Sequence, residues 1–148
     1  MVEAIDDADL LANELNPPSA NVSGKAHMVT PLETPTGPQR VGLRGWKAQI
    51  ATVLSCAGDA AQNELGLTNR LIPTENAPNG NAALLAAWDN VADPEDGPDA
   101  NGFDFIDRIT HFQRYLAAPP QTPKSGMAGE AIFDSVGCTD CPVASWTT

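Results

Sequence analysis

The sequence is short of positive charge, with eight Lys and Arg residues against nineteen Asp and Glu and a net charge of −11. Nucleic acids and anionic lipid surfaces are bound through clustered basic side chains, and no basic stripe is present, so we expect neither as a partner. No apolar run approaches the ~20 residues of a membrane-spanning helix. Residues 1–7 have neither the basic nor the apolar part of a signal peptide, so we expect none to be encoded in this sequence.

Bulky apolar side chains are also scarce. The length of 148 residues is that of one ordinary domain, and 42% of the residues are hydrophobic, but 22 of them are alanine, which buries little area. Thirteen prolines and twelve glycines divide the chain into short pieces. We therefore expect a thin core, either because long loops surround a small helical centre or because something outside this chain fills the middle.

Apolar periodicity predicts helices and no convincing strand, so the predicted fold class is mainly α with long Pro/Gly-rich loops. Residues 16–45 hold five prolines and no sustained periodicity, which predicts an irregular loop long enough to enclose a cofactor. Trp46 is predicted to open the second helix and Gly66 to end it. The predicted helices cover residues 2–15, 47–65, 81–91, 102–117 and 127–136.

Three cysteines are too few for a disulfide framework, but Cys138 and Cys141 form a C-x-x-C pair. A short amphipathic helix carrying Ile132 and Phe133 leads directly into this pair. In c-type cytochromes the two thiols of such a motif bond to haem, and the following histidine ligates the iron. Here the following residue is Pro142, which has no lone pair to offer a metal.

Other chemistry for the cysteine pair stays open at this point, namely a redox dithiol or a disulfide. Zinc would need two further ligands, and the remaining candidates, Cys56, His27 and His111, do not stand at ligand spacing. We expect Cys56 to be a small buried hydrophobic residue, His27 to be exposed, and His111 to be packed or half-exposed on the fourth helix.

Acidic residues concentrate in the second half of the chain and could supply hard oxygen ligands for calcium. Their spacing is not that of an EF-hand loop, and acidic clusters also serve simply as solvated surface. The run consists of Asp89, Asp93, Glu95, Asp96, Asp99, Asp104 and Asp107.

Several segments in a fixed order resemble one family across nearly the whole chain. These segments are Val2–Ile5, Gly42–Gln49, Ser55–Ala60, Asn63–Asn69, Ala92–Asp96, Phe112–Pro120 and Gly129–Cys141. Together they resemble the bacterial di-haem oxidoreductases, which are related to the di-haem cytochrome c peroxidases. Family members carry two C-x-x-C-H haem sites. The resemblance implies that residues 1–148 are one region of a larger two-haem protein, beginning after the first site and ending just past the second.

The resemblance also implies a function. Residues 127–148 would start a cytochrome c-like haem segment, with Cys138 and Cys141 matching the thioether cysteines of haem c. The implied activity is electron transfer and peroxide reduction in the periplasm or another extracytoplasmic compartment, with an electron-donor protein or the rest of the same protein as partner. Related peroxidases hold calcium between their domains, so calcium is implied as well.

The departure at Pro142 leaves the proximal histidine without a match, so we expect haem binding to be incomplete or inactive and assign no catalytic residue. The alternative is a non-catalytic structural or interaction module in which Cys138 and Cys141 form a disulfide. Trp46 lies in a stretch that resembles the family signature. It is either an electron relay between haems or, as we expect, an aromatic anchor for the second helix.

Overall fold

The computed structural model describes residues 2–15, 17, 23–117 and 128–140. Within these residues the chain forms five α-helices and one antiparallel pair of two-residue strands, so the mainly α prediction is confirmed. The elements, in chain order, are α1 (Asp7–Leu15), β1 (Met28–Val29), β2 (Arg40–Val41), α2 (Val53–Leu65), α3 (Ala82–Trp88), α4 (Phe105–Tyr115) and α5 (Ala128–Ser135). Short 3-10 turns lie at Val2–Ala4, Pro78–Gly80 and Cys138–Asp140.

Helices α2 and α4 pack against each other and form the core. Ala57 and Ala61 of α2 contact Ile106 of α4, whose side chain is 0% exposed. The partly buried residues around this cluster are Leu54, Leu67, Leu71 and Ile109. Two of the three buried members are alanines, so the core is as thin as the composition predicts.

Polar side chains complete the interior beside this cluster. Asn69 is fully buried, and its Nδ2 donates to the Gly58 carbonyl at 2.9 Å. Its Oδ1 accepts from the backbone N–H groups of Leu71 and Ile72 at 3.1 and 3.2 Å. Each of these bonds satisfies a backbone group that would otherwise be costly to bury. Asn69 therefore joins α2 to the loop that follows it.

The predicted irregular loop 16–45 contains the strand pair, with Met28 opposite Val41 and Val29 opposite Arg40. Helix α1 anchors this pair through Asp7, which accepts from Arg40 Nε at 2.7 Å and from the Val41 N–H at 3.1 Å. The hydrogen bonds from Arg40 lower the pKa of Asp7 despite its partial burial.

Several predicted helix bounds were wrong. Helix α3 ends at Trp88, not at residue 91, and α4 begins at Phe105, not at residue 102. Helix α2 begins at Val53, not at residue 47, and its first turn is capped by the Thr52 hydroxyl, which accepts from the Ser55 N–H. The residues before it form a tight turn with positive φ at Gly45 and Ala48. At the start of the chain, residues 2–15 form a 3-10 turn and then α1, so the predicted single helix is interrupted.

One ion pair ties the start of the chain to both core helices. Glu3 accepts from the Val53 N–H at 2.9 Å, which caps α2. Arg114, near the end of α4, donates to the two oxygens of Glu3 at 2.9 and 3.0 Å. Burial opposes ionisation of Glu3, but the bonds from Arg114 and Val53 outweigh it and lower the pKa of this carboxyl.

Among the helices described, none combines the length and the apolar character that crossing a membrane would require.

Candidate functional site

Helix α5 delivers Cys138 to the surface. The helix ends where the Val136 N–H donates to the Ile132 carbonyl, and Gly137 then adopts φ +80°, a conformation that favours glycine. This reversal starts the 3-10 turn Cys138–Asp140, in which the Asp140 N–H donates to the Gly137 carbonyl at 3.2 Å. The thiol-bearing residue Cys138 is exposed.

The apolar side chains of α5 are exposed as well. Ile132, Phe133 and Val136 all face solvent, with Ile132 at 61% exposure. In the described part of the chain, the packing of α5 is against the turn that contains Cys138. Exposed apolar side chains therefore stand beside an exposed thiol, which makes this end of α5 the candidate site.

Cys141 and Pro142 lie outside the described residues. Of the C-x-x-C pair, the structure therefore describes the position of Cys138 and not that of Cys141. The described part fits a thioether-attached haem, because it offers an accessible thiol and an apolar helix face beside it. The donor set does not fit iron ligation, because proline at position 142 carries no nitrogen lone pair.

Two histidines and one cysteine lie outside the C-x-x-C motif, and none was predicted to ligate a metal. His27 is exposed as predicted, and its Nδ1 lies 3.0 Å from the Lys47 carbonyl oxygen. His111 is exposed, with its ring centroid 4.6 Å from that of Tyr115. Cys56 is half-buried, less than predicted, and burial raises the pKa of its thiol. Within 2–15, 23–117 and 128–140, no group of three or more His, Cys, Asp or Glu side chains is placed to hold a metal ion.

Residues of the acidic run instead hold α4 and its preceding loop. Asp96 is buried and accepts from the N–H groups of Phe105 and Ile106 at 2.8 and 3.2 Å, which satisfies the first turn of α4. Asp93 accepts from the Thr68 hydroxyl at 2.7 Å. Calcium binding by this run therefore stays a prediction without support from the described residues.

Asp104, also buried, differs from Asp96 because one of its carboxylate oxygens has no hydrogen-bond partner among the described residues. Its Oδ2 makes no hydrogen bond in the described part of the chain, although Arg70 Nε lies 3.4 Å away. Burial raises the pKa of Asp104, and the charge of Arg70 opposes that rise. Arg70 also pairs with Asp107 Oδ1 at 2.6 Å. The spacing Asp104-x-x-Asp107 is a helix-start signal that the sequence analysis missed.

All 148 residues match the family model described as "Di-haem oxidoreductase, putative peroxidase". The chain belongs to this family. No curated protein and no solved structure matches it. Membership implies haem cofactors and oxidoreductase chemistry at the level of the family.

The position of Trp46 in this di-haem oxidoreductase differs from the expected one. Its side chain is 102% exposed in the turn before α2, so the prediction that it anchors the second helix was wrong. The backbone packs closely in this turn. A Cβ atom added at Gly42 would lie 1.7 Å from the Ala48 carbonyl oxygen, so a larger side chain would clash there. The backbone therefore presents Trp46 to solvent, and its relay role stays a prediction.

One face of α4 is also exposed. Phe103, His111 and Phe112, with Asp107 and Arg108, line an open cleft of about 370 Å³. Phe103, just before α4, and Phe112 are both exposed, whereas Ile106 is buried against α2.

Proposed function

We propose that this chain contains the second haem-attachment segment of a di-haem oxidoreductase. The ancestral activity of this segment would be peroxidase-like electron transfer. Cys138 and Cys141 are the thioether cysteines in this proposal. The observation that carries it is the exposed Cys138 at the end of α5, next to the exposed apolar side chains of Ile132 and Phe133. Family membership over the whole chain supports the same assignment.

Haem, when bound, would supply redox chemistry at its iron, while the protein sets attachment and surroundings. The thiols would hold the ring, and Ile132 and Phe133 would keep water from one of its faces. Position 142 supplies no axial nitrogen. We therefore propose that this centre is incomplete or inactive in the chain as it stands, and we assign no redox step to it.

Family resemblance also supports an extracytoplasmic, periplasmic location. The partner in this proposal is either an electron-donor protein or the remainder of a larger di-haem protein, which would cover the exposed face of α4.

The test is expression of the chain together with a c-type haem attachment system, followed by intact-mass spectrometry and visible spectra. Native protein is expected to carry little or no haem. Pro142→His should gain the mass of one haem and show a Soret band, with α and β bands on reduction. Pro142→His combined with Cys138→Ser and Cys141→Ser is the matched control and should stay colourless.

A colourless Pro142→His protein would contradict the haem-attachment assignment. Native protein fully loaded with redox-active haem would contradict the proposed inactivity instead.

The second candidate is a non-catalytic structural or interaction module with a Cys138–Cys141 disulfide. The exposure of Cys138 favours it, because an accessible thiol can reach its neighbour three residues on. The same mass measurement separates the two proposals, since oxidation to a disulfide removes two hydrogen atoms from the mass and haem attachment raises it.

A further inference from the structure

Two exposed turns contain an asparagine followed by a glycine, Asn79–Gly80 and Asn101–Gly102. In such a pair the glycine backbone nitrogen can attack the side-chain carbonyl carbon of the asparagine, because glycine has no Cβ to obstruct the approach. The attack requires the peptide group between the two residues to rotate away from its folded position. The rate in a folded protein therefore depends on how firmly the surrounding turn is held.

The turn at Asn101 is held from several sides by Asp99. The Asp99 carbonyl accepts from the Gly102 N–H at 2.9 Å, and Asp99 Oδ1 accepts from the Asn101 N–H at 2.7 Å. Oδ1 also accepts from the Phe103 N–H at 3.2 Å, and Oδ2 pairs with Arg108. Hydrogen bonds to a charged acceptor are stronger than those between neutral groups. These bonds must break before the Gly102 nitrogen can react.

The turn at Asn79 is closed by two hydrogen bonds between neutral backbone groups. The Gly80 N–H donates to the Ala77 carbonyl at 3.0 Å, and the Asn81 N–H donates to the Pro78 carbonyl at 2.9 Å. A Cβ placed on Gly80 would meet no described atom within 4 Å, so the space around this residue is open. Helix α3, which follows the turn, has no buried residue and adds little to the cost of opening it.

We propose that Asn79 deamidates spontaneously in the folded protein, whereas Asn101 is protected. The Gly80 nitrogen loses its proton to solvent and bonds to Asn79 Cγ, and the side-chain nitrogen leaves as ammonia. Water then opens the resulting succinimide ring at either of its two carbonyl carbons. The products are aspartate, with the normal backbone, and isoaspartate, in which the backbone runs through the former side chain. The net reaction consumes one water and releases one ammonia, and it does not depend on haem attachment.

Isoaspartate at position 79 releases the start of α3. The helix is capped by Asn81, whose Oδ1 accepts from the Leu84 N–H at 3.0 Å. The Asn81 carbonyl accepts from the Leu85 N–H at 3.1 Å. Isoaspartate adds one CH2 group to the backbone and so displaces Asn81 from the turn that positions it. A helix of seven residues without a buried side chain depends on such a cap, so this displacement unwinds its first turn.

The test incubates the full chain in mildly alkaline buffer and follows both asparagines by peptide-mapping mass spectrometry. Deamidation replaces NH2 by OH in the mass, and electron-transfer fragmentation separates aspartate from isoaspartate. Conversion at Asn79 should be at least about tenfold faster than at Asn101, the factor that one additional charge-assisted hydrogen bond gives when it must open first. The urea-unfolded chain is the matched control, because the two Asn-Gly pairs lose their different surroundings there and should convert at similar rates.

Two variants connect the rates to the structure. Asp99→Ala should raise the rate at Asn101 towards that at Asn79 and leave the rate at Asn79 unchanged. Asn79→Asp carries the charge of the deamidated product but keeps the normal backbone. Its Leu84 and Leu85 N–H groups should therefore keep their native protection from hydrogen exchange, whereas the isoaspartate fraction of the native sequence should lose it.

The proposal is overturned if Asn101 converts as fast as Asn79 in the folded chain, or if Asn79 converts only in urea. An unchanged rate at Asn101 in Asp99→Ala would overturn the protective role of Asp99. Native hydrogen exchange at Leu84 and Leu85 in the isoaspartate fraction would overturn the release of α3.

Discussion

Replacing Ile106 by alanine should remove much of the stability of the α2–α4 core. Ile106 is 0% exposed and contacts Ala57 and Ala61, whose short side chains cannot move in to fill the space. Deleting three carbon groups costs about 0.8 kcal/mol each in transfer free energy, or about 2.4 kcal/mol. The cavity left behind adds to this, so we expect a total loss of about 4 kcal/mol in the free energy of unfolding. Ile106→Val should cost about 1 kcal/mol.

Thermal and urea denaturation followed by circular dichroism measure this loss. For a chain of this size, about 4 kcal/mol corresponds to a drop in Tm of roughly 8–16 °C. Ile132→Ala on α5 is the control, because Ile132 is exposed, and it should change stability by less than about 0.5 kcal/mol. A loss below about 1 kcal/mol for Ile106→Ala would refute the assignment of the α2–α4 contact as the core.

Three further predictions concern the polar contacts. Asp96→Ala should cost about 2–3 kcal/mol in thermal denaturation, because two backbone N–H groups of α4 lose a charged acceptor, whereas Asp96→Asn should recover part of that loss. Arg114→Ala should cost about 1 kcal/mol at neutral pH. Because the pKa of Glu3 is lowered in the folded state, this cost should fade below about pH 4 in a pH series of melts, and a cost independent of pH would contradict the linkage. Asp104→Asn should gain stability relative to the native chain as pH rises through the raised pKa of Asp104, since only the native chain then carries a buried charge there; parallel pH profiles of the two proteins would argue against it.

Helix ends were easier to predict than helix starts. Gly66 ends α2 in the left-handed conformation, as its position after the apolar stripe indicates. The predicted start at residue 47 lies six residues before the observed one, because Ile50 extends the apolar pattern in front of Val53. Thr52, with its side chain three residues before Ser55, marks the true start. A cap is a local hydrogen bond, and apolar periodicity alone does not reveal it.

The candidate site and the interior were likewise predictable only in part. The apolar face of α5 and the exposure of Cys138 agree with the amphipathic helix predicted before the C-x-x-C motif. The buried positions of Thr68 and Asn69 could not be predicted, because polar residues in a loop usually face water. Their burial depends on bonds to groups distant in sequence, such as Asp93 and Gly58.

This polar interior has a calorimetric consequence. Among the described residues, Thr68 and Asn69 stand with Ile106 and Val53 as the largest fully buried side chains. On unfolding, newly hydrated hydrocarbon raises the heat capacity, whereas newly hydrated amide and hydroxyl groups lower it. The heat-capacity change of this chain should therefore lie below the usual ~12–15 cal/mol/K per residue, and its stability should vary unusually little between cold and warm conditions.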